Sequence, residues 1–181
     1  MTPSITGTES RQAFEQLFAT HYWPVRDFVR RRAPDLAVED VVAETFLVAW
    51  RHFAELGEDP MPWLLSVARR VLANQLRADR RRAALVARLK GLTRSSDSSW
   101  ESPAEMNSVL ATALVRLSER EREVLLLVAW DGLDPTRAAQ VLGCSPTAFR
   151  VRLHRARRRI VKELADDPSP KTVARLSEEI S

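Results

Sequence analysis

Residues 145–162 read SPTAFRVRLHRARRRIVK, with six arginines, one lysine, one histidine and no acid. On a helix, cations three and four residues apart repel one another unless an anion neutralises them, and the phosphates of duplex DNA repeat on that scale. Guanidinium suits the task because its planar fork matches both a phosphate and the edge of guanine. With Phe149 at zero on a helical wheel, Leu153, Ala156, Ile160 and Leu164 fall within about 60° of it, so one stripe faces a core. The opposite side carries Thr147, Val151, His154, Arg155, Arg158 and Lys162, flanked by Arg150, Arg152, Arg157 and Arg159. The first turns of such a helix enter a major groove. Thr147, Arg150, Val151 and His154 are therefore the candidates for reading bases, Val151 against a thymine methyl, with Arg155 and Arg158 on phosphates and Arg152 in the same set. The bland alternative is a solvated basic face.

A second group of polar residues lies in residues 62–82, where Arg69, Arg70, Asn74, Arg77, Arg80, Arg81 and Arg82 follow one another closely. Arginines at that density beside an asparagine fit strand-separated nucleic acid held by its phosphates, with Trp50 or Trp63 available for stacking. Both tryptophans fall in apolar helix patterns and are expected in the core. In residues 40–51, Asp40, Glu44, Leu47 and Arg51 share one helical stripe, while Val41, Val42, Ala49 and Phe53 turn inward. A leucine ringed by charges suits a protein partner, the alternative being a solvated face with one stray leucine.

The elements that must position these residues are helices. Phe14, Leu17, Phe18, Tyr22, Val25 and Phe28 recur at three and four, predicting a helix over 10–32 that Pro24 kinks or divides. Further helices are expected over 38–54 and 62–82, the last with a short extension, and over 108–117, 118–130, 135–142 and 146–164. Ser118 with Glu121 reads as a capping box, and Asp134-Pro135 and Ser145-Pro146 each place a capping side chain before a proline at the first helical position. Gly143 supplies a left-handed turn between two helices and Ala139 is small enough for them to cross closely, which gives the order of a helix-turn-helix. No strand-like alternation occurs. The fold class expected is all-α, with two small helical domains over 10–84 and 107–165 joined by a linker over 85–106. Residues 1–9 are expected to be disordered and 166–181 to form a tail. About 20 free linker residues span roughly 25 Å on average and about 65 Å stretched, so the two modules could engage separate surfaces.

The chain of 181 residues, 45% hydrophobic and 29% charged, is long enough for two small cores and excludes disorder as the main state. The formal charge of +4 understates a local basicity, because the acids gather between Asp35 and Asp59 and near the C-terminus. A GC-rich genome would also favour arginine over lysine. Cys144 is the one cysteine, which excludes an intramolecular disulfide and any cysteine-rich zinc site, so no metal and no cofactor are expected. It reads as a small packing residue in the turn. No run approaches 18 apolar residues and MTPSITGTES lacks the pattern of a signal peptide, so a cytoplasmic protein without membrane insertion is expected.

DVVAETFLVAWR from Asp40 and PWLLSVARRVLANQLR from Pro62 together resemble the second domain of bacterial RNA polymerase sigma factors. LSEREREVLLL and LGCSPTAFRVRLHRARR resemble their fourth domain, and the compact layout is similar to the extracytoplasmic function group. The resemblance covers roughly residues 14–162. It implies that Asp40, Glu44, Leu47 and Arg51 dock on the clamp helices of the polymerase β′ subunit. It implies that Arg69, Arg70, Asn74 and Arg77, with the loop before Pro62, hold the promoter minus-10 element, and that the helix-turn-helix reads the minus-35 element. Contact with the β flap and control by an anti-sigma factor are implied as well. Thr136 and Arg137 stand where the family commonly has an acidic pair, and Arg70 where it often has asparagine, which bears on promoter preference.

Such a factor is not an enzyme and takes no small-molecule substrate. Two other classes compete. A dimeric helix-turn-helix regulator would bind a palindrome without polymerase. A helical nucleic-acid enzyme would need convergent carboxylates, whereas Glu39, Asp40 and Glu44 look like charge on a partner-facing helix. In the tail, Val173, Leu176 and Ile180 could share one side of a short amphipathic helix, either inert or regulatory.

Overall fold

The computed structural model describes residues 7–33, 38–89 and 108–165. They form seven α-helices and one 3-10 turn with no strand among the described residues, as the sequence pattern predicts. The chain divides into two units, residues 1–98 and 99–181.

The first unit packs α1 (Gly7–Arg32), α2 (Val38–Arg51) and α3 (Met61–Leu89) against one another. α1 starts three residues before the predicted position and runs unbroken through Pro24. Proline removes one backbone donor, and Pro24 is solvent-exposed on a helix otherwise anchored by the buried Val25, Phe28 and Val29. Burying each such side chain contributes about 1.5–3 kcal/mol, enough to offset one weakened turn. α1 and α2 run antiparallel, since partners descend on one as they ascend on the other. Phe14 meets Trp50 at 4.9 Å, Phe18 meets Phe46 at 4.7 Å, and Arg26 pairs with Glu39 at 3.2 Å.

α2 ends at Arg51 rather than 54. Phe53 lies in a separate 3-10 turn, Phe53–Glu55, and is half-buried. The buried Thr45 spends its hydroxyl on the carbonyl of Val41 at 2.7 Å, so a polar residue sits in the core without an open donor. α3 begins with Leu64 N donating to Pro60 O, tolerates Pro62 because the first turn lacks intrahelical donors, and continues to Leu89. The expected linker start at 85 thus falls inside a helix. The remainder of the linker, the N-terminal 1–6 and the tail at 166–181 lie outside the described residues.

The second unit consists of α4 (Ser108–Val115), α5 (Glu119–Ala129), α6 (Pro135–Leu142) and α7 (Pro146–Ala165). Local chemistry sets its boundaries. Ser118 Oγ accepts from Glu121 N while the Glu121 carboxylate accepts from Ser118 N, closing the predicted capping box. Asp134 accepts from the amides of Thr136 and Arg137 at 2.8 and 3.1 Å, and Ser145 Oγ accepts from Ala148 N at 3.1 Å. Gly143 sits at φ 63°, ψ 40°, while Cys144 N donates to Ala139 O and Gly143 N to Gln140 O. This closure turns the chain sharply from α6 into α7 and needs a residue without a Cβ at its left-handed position.

Candidate nucleic-acid interface

α7 buries Phe149, Leu153, Ala156, Ile160 and Leu164, the stripe that the wheel assigns to the core. That burial fixes its rotation and leaves Thr147, Arg150, Val151, Arg152, His154, Arg155 and Arg158 exposed. Val151 is an apolar side chain held out among cations, as a methyl-reading position would require. A shallow groove beside this face is lined by Arg150, His154 and Arg157 of α7 and by Leu133 and Asp134 of the loop between α5 and α6. The one carboxylate in that groove is held to the amides at the start of α6, and those bonds, with Arg137 first, lower its pKa from the ordinary aspartate value. Asp134 therefore stays ionised, and the two arginines Arg150 and Arg157 outnumber it among the named groove residues.

The remaining cations of α7 are not equivalent. Arg159 donates to Glu163 at 2.9 Å, and Glu163 also lies 3.8 Å from Arg116 in the turn after α4. A second arginine is internal to the unit. Arg122 of α5 is 8% exposed and donates to the carbonyls of Leu114 and Val115, which end α4, and of Leu117 in the turn that follows. Burial lowers its pKa, opposed by Glu119 and Glu123. Sequence reading overlooks Arg122 because it belongs to the run EREREV. The signal available was its spacing of three and four before the buried Leu125 and Leu126.

In the first unit, Arg70, Asn74, Arg77 and Arg81 step along one exposed face of α3, with Arg69 beside them. The buried Leu64, Leu65, Ala68, Val71 and Leu72 hold the other face to the bundle. Arg77 donates to Asn74 Oδ1, and Arg70 Nε donates to Ser66 O at 3.3 Å. On α2, Asp40, Glu44, Leu47 and Arg51 are all exposed, and Leu47 keeps 50% of its surface open. Val41, Val42 and Ala49 are buried on the opposite side.

The tryptophans depart from expectation. Trp50 is 44% exposed, propped edge-on against Phe14, and Trp63 is half-buried. Neither is a true core residue, because α2 and α3 are rotated to bury aliphatic side chains instead. Trp23, 62% exposed, lies beside the Arg26 guanidinium at 5.6 Å. Cys144 is a half-buried free thiol in the turn. Among the described residues, no helix is long and apolar enough to cross a membrane.

Comparison with known proteins matches residues 17–82 to the family model described as Sigma-70 region 2 and residues 108–160 to that described as Sigma-70, region 4. The chain is 32% identical over 149 residues to RNA polymerase sigma factor CarQ of Myxococcus xanthus, covering 81% of this chain and 86% of that one. It is 31% identical over 175 residues to ECF RNA polymerase sigma factor SigL of Mycobacterium tuberculosis, covering 88% and 96%. Among solved structures, CnrH in complex with the cytosolic domain of CnrY is 27% identical with a TM-score of 0.59, covering 87% and 90%. RpoE in complex with the anti-sigma factor NepR from Bartonella quintana has a TM-score of 0.61 at 24% identity over 86% of this chain and 99% of that one, a likeness of fold.

Proposed function

Because this chain belongs to the sigma-70 family of RNA polymerase sigma factors, in its extracytoplasmic function group, we propose that its two units divide promoter recognition between them. The factor binds core polymerase and directs it to promoter DNA. In the division proposed, Asp40, Glu44, Leu47 and Arg51 dock on the β′ clamp helices. Arg69, Arg70, Asn74 and Arg77 hold the opened minus-10 element. Thr147, Arg150, Val151, Arg152, His154, Arg155 and Arg158 engage the minus-35 element, and the β flap is a further polymerase contact.

The observation that carries this reading is the exposed, acid-free face of α7, fixed outward by its buried stripe, in the same chain as an open leucine ringed by charges on α2. Binding energy is used here for selection rather than for bond chemistry. A factor that holds the melted state more tightly than the duplex shifts the equilibrium toward open DNA. Its place of action is the cytoplasm, where polymerase and promoter are found, and no residue is assigned a catalytic role.

An anti-sigma factor covering the polymerase-docking and DNA surfaces is the proposed regulator, and the likeness to CnrH, solved with the cytosolic domain of CnrY, supports it. A dimeric regulator acting without polymerase fits the family assignment poorly. Run-off transcription with core polymerase, followed by mapping of start sites, tests the proposal. Defined starts that depend on the protein are expected. A chain that directs no initiation, fails to bind core and does not compete for it would overturn the reading.

A further inference from the structure

The cationic run of α7 ends at a carboxylate that two guanidinium groups share. Glu163 keeps only 13% of its side chain exposed and lies 2.9 Å from Arg159 Nε and 3.8 Å from Arg116 in the turn after α4. At 100° per residue, Arg159 and Glu163 sit about 80° and 40° to one side of Phe149, whereas Arg158 lies about 180° from it. α4 packs against α7, and the contact of Arg116, in the turn just after α4, places that end of α4 on the Arg159 flank rather than the open face. Helix chemistry alone does not account for the pair, because an arginine four residues before a glutamate is the weaker of the two orientations. The tertiary partner Arg116 and the low exposure of Glu163 explain it better, since a partly buried pair is screened less by salt.

We propose that Glu163 withholds Arg159 from DNA while the same carboxylate, through Arg116, ties the turn after α4 to α7, so that the phosphate contacts of the recognition helix come from residues before 159. The inference rests on the reading of α7 as a DNA-binding helix. It divides a run of arginines that looks uniform in sequence into two groups: Arg155 and Arg158 neutralise phosphodiesters, while the neighbouring Arg159 stays paired with Glu163, the carboxylate that also holds Arg116. Glu163 is a positioning residue, and it limits how many counterions binding releases.

The test is the salt dependence of binding by the full chain to a duplex of mixed sequence, followed by fluorescence anisotropy across a range of KCl. Each lost phosphate contact lowers the slope of log K against log salt by about 0.9. Arg155→Ala should lower the slope by about that amount and Arg159→Ala should leave it at the wild-type value. Glu163→Ala should steepen it as Arg159 is released, and the Glu163→Ala, Arg159→Ala double variant should return it. A slope lowered by Arg159→Ala as much as by Arg155→Ala overturns the proposal, and so does a folded Glu163→Ala with an unchanged slope. If Glu163→Ala fails to fold by circular dichroism, the comparison of Arg159→Ala with Arg155→Ala decides, because the Arg159 side chain is exposed enough to be removed safely. If Arg150→Ala, Arg155→Ala and Arg158→Ala all leave the slope untouched, the DNA-binding reading of α7 fails and this proposal falls with it.

Discussion

Arg122 Nε donates to the Leu114 carbonyl at 2.9 Å, so a buried side chain of α5 terminates α4. The last carbonyls of a helix lack i+4 donors, and here Arg122 bonds, in buried surroundings, Leu114 in the last turn of α4 and Leu117 in the turn that follows. Replacing Arg122 with methionine keeps the stem but removes its bonds: the Leu114 carbonyl keeps the Leu117 amide, while the buried Leu117 carbonyl loses its Arg122 donor, which costs on the order of 1–3 kcal/mol. Hydrogen exchange should show the amides of α4 and the start of α5 losing protection, with Arg122→Lys retaining part of it. Unchanged protection in Arg122→Met would remove the capping role.

Leu47 makes the opposite case, an apolar side chain with half its surface open. Leu47→Asp should leave the melting temperature of the first unit nearly unchanged and weaken binding to core polymerase at least tenfold, or about 1.4 kcal/mol. A binding titration with labelled core polymerase measures this. Wild-type affinity in a folded variant would mean that the α2 stripe is solvated surface.

Sequence made the helices legible wherever a side chain both marks a boundary and makes its bond locally. Ser118, Asp134 and Gly143 act within a few residues of themselves, so the pattern and the geometry coincide. Arg122 and Glu163 were opaque because their partners, Leu114 and Arg116, lie on α4 and in the turn after it, and only packing brings them together. Pro24 misled for a related reason: burial of Val25, Phe28 and Val29 outweighs the local cost of proline within α1. The outward side of α7 could be read because five buried positions fix its rotation. The end of α3 at Leu89 is legible only as a short extension beyond 82, because no capping residue directly follows it in the sequence.

Base readers and phosphate contacts should separate in their effects. Arg150→Ala should change which minus-35 bases are preferred, with a discrimination loss of about 1–3 kcal/mol at one position. Arg158→Ala should weaken all promoters alike and reduce the salt slope by about one. Run-off transcription on a panel of single-base minus-35 variants distinguishes the two patterns. Uniform loss in both variants would place Arg150 on the backbone rather than on a base.

The capping carboxylates give the second unit an acid-sensitive contribution. Glu121 is held below the ordinary glutamate value of 4.5, chiefly by its side-chain bond with Ser118. Asp134 is held below the ordinary aspartate value of 3.8, first by the Arg137 amide and then by that of Thr136. A carboxylate whose pKa is depressed on folding adds stability that is fully present above its unfolded pKa and disappears as pH falls through the folded one. The loss should therefore begin as acid approaches these ordinary values and continue below them, with no contribution to any change between pH 6 and 8. Ser118→Ala should cost about 1 kcal/mol at neutral pH by removing the cap, and should flatten the part of the acid profile due to Glu121. Denaturation of the wild type and Ser118→Ala across an acid series checks this. Parallel profiles would show that the capping box, though formed, does not couple to protonation.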